Sequence, residues 1–208
     1  MTVSGHDPQY RKSASLARMP WRRFIVLGDG GAEGPGPARG SCDPDWADHV
    51  AEALRSVRPD LAYLNLGRHE PSTAHVRAGQ LARALAFRGD LAAVVASGRE
   101  AAREPFDIDA VEAELSRIVG PLRSSGADVL TLGTYGPGLS AAPAEEQRSG
   151  PRRRRRILAE RTRDLALRHG ALYVDVPTRA AAAGGRSVAA AVIHRLVDHL
   201  DATRNARY

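Results

Sequence analysis

The chain has one cysteine, one lysine and no long apolar run among its 208 residues. The lone Cys42 excludes an internal disulfide and fits a reducing compartment. With no stretch of about 18 apolar residues, a membrane-spanning helix is excluded. The opening segment, MTVSGHDPQYRKSASLARMPWRR, is basic but lacks the apolar centre of a secretory signal. It reads as a flexible basic arm over residues 1–23, and the expected location is the cytoplasm. Lys12, the only lysine, precedes the glycine-rich stretch that follows, so there is no G-x-x-x-x-G-K-[ST] phosphate loop. His69 and His75 have no cysteine or further histidine at zinc-site spacing, and neither a metal nor a cofactor is expected.

What is present is a chain with 43% apolar residues, long enough for one domain with a substantial core. The net charge is +6, and 29 of the 30 basic residues are arginine. This bias has two readings: a coding habit of a GC-rich genome, or a surface for acidic partners. The densest run is Arg152–Arg156, at the start of a helix. Five consecutive arginines spread around more than one helical turn and oppose the helix dipole. They are a solvated helix end or a contact for a protein partner. Single-stranded nucleic acid is not supported, because no aromatic residues are interleaved.

Short apolar runs alternate with helical patterns. Strands are expected at residues 24–27, 61–66, 91–97, 127–133 and 171–176. Asp43 with Pro44 can open the first helix, which carries Trp46, Val50, Leu54 and Val57. Ser72 or Thr73 can cap the second, with Val76, Leu81 and Leu85. Asp107 or Asp109 can start the third, with Val111, Leu115, Ile118 and Leu122 on one face. The fourth spans 151–169 and stops at Gly170, and the fifth carries Val188, Val192, Leu196 and Leu200. Near-continuous apolar strands between helices predict an α/β fold, a three-layer α/β/α domain on a five-stranded parallel sheet. With strand order 2-1-3-4-5, the first and third strands meet at the switch point, where ligands bind in such sheets. The domain is expected to span 24–203, followed by a tail at 204–208.

The first strand runs into LGDGGAEG, Leu27–Gly34. Gly28 and Gly30 begin a G-x-G-x-x-G pattern, but Glu33 takes the third place and would repel a pyrophosphate. The block resembles instead the opening of bacterial SGNH (GDSL-type) hydrolases, G-D-S-x-x-x-G. The segments DWADHVAEAL, PDLAYLNLGRHEPSTAHVRAGQL, GDLAAVVASGREAAREPFDIDAV, RHGALYVDV and GGRSVAAAVIHRL resemble that family's later elements in order. The resemblance implies a flavodoxin-like hydrolase fold.

It also implies a degenerate site. Gly30 stands where the family has its nucleophilic serine, Glu70 near its second-block glycine, and Arg99 and Glu100 where it has Asn and Asp. The D-x-x-H segment before the last helix is missing, and Gly185 sits where a histidine is common. Ser41, Cys42, His194 and His199 make poor replacements. Standard Ser-His-Asp hydrolysis is therefore not expected, since its hydroxyl and its base are both gone. The expectation is a pseudoenzyme with a binding or accessory role, such as in a biosynthetic pathway. Backbone N–H groups at Gly30 and Gly31, with Arg99, would form an anion-binding pocket for a small acidic ligand. Arg99 could instead be clamped by Asp29, Glu70 or Glu100. Two alternatives stay open: acid/base chemistry by Asp29, Glu70 and Glu100, or ester hydrolysis through an unrecognised nucleophile.

Overall fold

The computed structural model describes residues 15–29, 45–68, 70, 72–95, 100–102, 104–133, 150–176 and 184–206. Five strands form one parallel sheet: β1 (Arg23–Gly28), β2 (Ala62–Asn65), β3 (Leu91–Val95), β4 (Asp128–Leu132) and β5 (Leu172–Val174). Their order across the sheet is β2-β1-β3-β4-β5, the order that puts the switch point between the first and third strands. The helices of the domain among the described residues are α1 (Trp46–Arg55), α2 (Thr73–Phe87), α3 (Ile108–Ser124), α4 (Gly150–Arg168) and α5 (Gly185–Asn205). A 3-10 turn, Glu100–Ala102, follows β3.

Side chains alternate along β1 and so divide the core in two. Phe24 and Val26 face α1 and α5 with Trp46, Val50, Leu54, Val188, Val192 and Leu196. Ile25 and Leu27 face the other layer, with Val76, Leu115, Ile118, Leu158 and Leu165 from α2, α3 and α4. While Arg23 at the start of the strand is exposed, these four side chains, Phe24 to Leu27, are fully buried. Each contributes about 1.5–3 kcal/mol relative to exposure. Register puts Gly28 opposite Val95, so β1 and β3 end side by side at the switch point.

The helix starts follow cap chemistry, with corrections. Ser72 caps α2 and Asp107 caps α3, both among the expected residues. In α1 the cap is Asp45, so the helix starts at Trp46, later than the Asp43–Pro44 reading placed it. The buried face of α2 is Thr73, Val76, Gln80 and Ala84, while Leu81 and Leu85 are only partly buried. The expected arm over 1–23 is also too long. Leu16, Met19 and Trp21 are buried, and Ser15 Oγ donates to Asp201 on α5 at 2.8 Å. At the other end, α5 runs to Asn205, past the predicted boundary at 203.

The segment before β1 is anchored at the start of β4. Trp21 Nε1 donates to Asp128 at 2.9 Å, and the Trp21 ring stacks on His199 at 6.5 Å between centroids. His199 Nε2 approaches the same carboxylate at 3.5 Å and Arg123 at 3.4 Å. The His199 hydrogen bond, with help from Trp21 and Arg123, holds the Asp128 pKa below its ordinary value against the opposing effect of burial. A depressed carboxylate stabilises the fold above its unfolded pKa, and that contribution is lost as pH falls through the folded value. The stability gap between wild type and Asp128→Asn should therefore be full at pH 6 and shrink steadily below about pH 4. Urea titrations at stepped pH measure this; a constant gap would contradict the role given to Asp128.

Candidate active site

The last residue of β1 stays opposite Val95 of β3 but lies past the end of the pairing with β2. Gly28 takes φ 153°, a region open to glycine. Its N–H donates to Gln80 Oε1 at 3.0 Å, and its carbonyl accepts from Gln80 Nε2 at 2.9 Å. Gln80 is 1% exposed, so one buried amide satisfies both backbone groups. The next turn of chain is tied to the same point: Leu66 N–H donates to the Val26 carbonyl and Arg68 N–H to the Gly28 carbonyl, at 2.9 and 3.4 Å. Asn65 Oδ1 accepts from Gly67 N–H at 2.8 Å and closes that turn. The LGD and NLG segments thus meet at the carboxyl end of the sheet.

Of the carboxylates named from the sequence, Asp29 is 2% exposed, directly after the Gly28 clamp. Glu100 lies just beyond β3, and its Oε2 accepts from Thr73 N–H at 2.9 Å and Thr73 Oγ1 at 2.8 Å. This is a cap from 27 residues away: a carboxylate on the amino terminus of α2, where the helix dipole favours negative charge. The first turn of α2 has no acidic residue of its own. Glu70 lies in the turn leading to α2, with its carboxylate against Gly79. Gly30, Gly31, Arg99, Ser41, Cys42 and His69 lie outside the described residues, as do the Gly28–Gly34 loop beyond Asp29 and the segment 177–183.

At the neighbouring strand, Tyr173 lies across the end of β4. A Cβ added to Gly133 would come within 2.5 Å of the Tyr173 hydroxyl, so this placement requires glycine. Burial raises the Tyr173 pKa, and that of Tyr63, whose hydroxyl donates to Asp48 on α1 at 2.9 Å. The phenols therefore stay protonated.

Of the histidines on the last helix, His199 is placed away from this end. His199 is bound to Asp128, the first residue of β4, a strand length of roughly 13 Å from the carboxyl end. His194 pairs with Asp198 on its own helix at 3.0 Å. Gly185, at the position where a histidine is common, is the first residue of α5, and Gly184 caps it with no side-chain hydrogen bond. Among the described residues two serines meet a histidine: Ser72 and His75 at 2.7 Å, and Ser116 and His169 at 2.8 Å. Only the first lies near the switch point, where Ser72 also caps α2. No group of three metal-ligating side chains forms among the described residues. No described helix is long and apolar enough to cross a membrane.

Gln80 was not singled out from the sequence. Its signal was a polar residue on the apolar face of α2, between Val76 and Ala84. Replacing it with leucine strands the buried Gly28 N–H, at about 1–3 kcal/mol, and leaves the Gly28 carbonyl with the 3.4 Å bond from Arg68 alone. Gln80→Leu should thus lower the unfolding free energy by about 1–3 kcal/mol in urea, whereas exposed Arg83→Gln should leave it within about 0.5 kcal/mol.

Solved structures share the fold. The acetylxylan esterase Axe2 from Geobacillus stearothermophilus superposes with a TM-score of 0.66 at 14% identity, over 86% of this chain and 94% of that one. LAE5, an alpha/beta hydrolase enzyme from the metagenome of Lake Arreo, gives 0.65 at 14%, over 86% and 95%. TesA gives 0.58 at 18%, over 73% and 77%. At such identities the likeness concerns the fold. No curated protein matches the chain in sequence. Residues 26–196 match the GDSL-like Lipase/Acylhydrolase family, from the middle of β1 to the middle of α5, and the chain belongs to that family.

Proposed function

We propose that this chain is a GDSL-family member that no longer hydrolyses esters through a serine and acts instead by binding a small acidic ligand, in an accessory role. The observation that carries this reading is the glycine at position 30, directly after Asp29 where the family motif has its nucleophile. A residue without a side chain supplies no nucleophile, and the D-x-x-H base is missing as well. Loss of these groups together costs on the order of a millionfold in turnover in the subtilisin case. The third-block position supports the same reading, because the Glu100 carboxylate is engaged by Thr73 at the start of α2.

The ligand follows from what such a site keeps. Backbone N–H groups at Gly30 and Gly31 would serve an anion, and the Arg99 guanidinium would match a carboxylate, sulfate or phosphate. Two charge-assisted contacts of about 1.5–3 kcal/mol each give millimolar affinity for a bare anion. Sulfate, phosphate or a small carboxylic acid should raise the melting temperature of the wild type, and this shift should vanish in Arg99→Ala. An equal shift in both proteins would refute the pocket.

A second reading rests on the Ser72–His75 contact of 2.7 Å, a hydroxyl next to an imidazole near the switch point. The same experiment weighs both. A fluorophosphonate probe should leave the protein unlabelled, short p-nitrophenyl esters should give no burst, and Gly30→Ser should not restore turnover. Stoichiometric labelling that disappears in Ser72→Ala would establish a displaced nucleophile and overturn the non-hydrolytic reading.

A further inference from the structure

The net charge of the chain is concentrated on one helix. α4 holds eight arginines against two acids, Glu160 and Asp164, an excess of six that equals the charge of the whole chain. The structure sorts these arginines by direction. Arg154 turns inward: it is 19% exposed, its Nε donates to the Ala101 carbonyl at 2.9 Å, and its Nη1 meets Glu104 at 2.7 Å. Arg161 and Arg168 bind Glu112 on α3, and Arg161 also reaches Asp109. These three fasten α4 to its neighbours.

A different set forms the outer stripe. Arg153, Arg156, Glu160, Arg163 and Leu167 are all exposed and recur every three or four residues. At 100° per residue they fall within an arc of about 80°, turned away from the buried Leu158, Thr162 and Leu165. The stripe is about 21 Å long. Arg153 and Arg163 have no carboxylate in ion-pair range among the described residues, and Arg156 has only Glu160, at 3.7 Å. The stripe ends at Leu167, which is 68% exposed and the one large apolar side chain so exposed among the described residues. The helix begins with no acid in its first turn. Cations there oppose its dipole, so the charge is not placed for the stability of α4.

We infer that this stripe is a docking surface for an acidic amphipathic helix of a protein partner, whose carboxylates meet Arg153, Arg156 and Arg163 and whose apolar residue covers Leu167. The features on the surface select this occupant. A period of three to four residues ending on an apolar side chain matches a second helix laid alongside. Glu160 and Asp164, within and beside the stripe, would repel the phosphates of a nucleic acid, whereas a protein partner can place a cation against them. An added strand is disfavoured nearby: β5 is three residues long, and the outward Tyr173 carbonyl is taken by Arg195 Nε at 3.3 Å.

The test uses the full chain and a fluorescein-labelled helical peptide with glutamates at three- and four-residue spacing and one terminal leucine. Anisotropy at 50 mM salt should show saturable binding that weakens at least tenfold at 300 mM. Arg153→Gln with Arg163→Gln should weaken it at least tenfold. Arg83→Gln with Arg204→Gln removes the same charge from other exposed sites and should change it less than twofold. Leu167→Ala should cost several-fold with this peptide and nothing with a peptide whose leucine is alanine. The inference is overturned by absence of saturable binding, by equal losses in the two arginine pairs, or by tighter binding to a 20-base-pair duplex than to the peptide. Since Gly30 and Arg99 are unchanged in these variants, the anion-induced thermal shift should survive in all of them.

Discussion

The hydrogen bonds between Gln80 and Gly28 set the geometry of the candidate site. β1 is the strand at the switch point, buried on both faces and paired on both sides. When such a strand stops, its last N–H and C=O must find partners without the next residue of a ladder. Gln80 provides both from one side chain, 52 residues away. The clamp fixes where Asp29 leaves the sheet, and the same carbonyl receives Arg68 from the segment after β2.

The environment of the site is built from capping. Family resemblance places Glu100 at a catalytic-block position, and its carboxylate accepts two hydrogen bonds from Thr73 at the start of α2. Arg154, from the arginine run, holds the carbonyl of Ala101 in the following turn. An acid and a base that could have been catalytic or surface groups thus tie the exit of β3 to two helices. His199 of α5 follows the same logic at the opposite end of the sheet, where it shares Asp128 with Trp21. Charged groups that are engaged in this way stabilise a scaffold and leave little for proton transfer.

The arginine run shows how far a linear reading reaches. Its five residues are equivalent as a string, and only the helix divides them. Arg154 becomes an internal tether, while Arg153 and Arg156 join Arg163 and Leu167 on the outside. The division follows from 3.6 residues per turn, but which arc faces the core depends on Leu158, Thr162 and Leu165 meeting the sheet.

The sequence by itself determined the strand–helix alternation, the parallel sheet, the cap regions at Ser72 or Thr73 and at Asp107 or Asp109, and the glycine after Asp29. These are local properties: apolar period, cap chemistry and motif spacing act over a few residues. It misplaced the start of α1, the packed segment from Ser15 to Trp21 and the inner face of α2. The start of α1 was set by the local cap at Asp45, whereas long-range contacts decided the other two: Trp21 with Asp128 and Ser15 with Asp201, and Gln80 with Gly28. The engagement of Glu100 by Thr73 was equally hidden, because residues 27 apart meet only once β3 lies beside β1. Hydrogen-bond partners of buried polar groups are chosen by the packed fold, since each must be satisfied by whichever group the topology brings near.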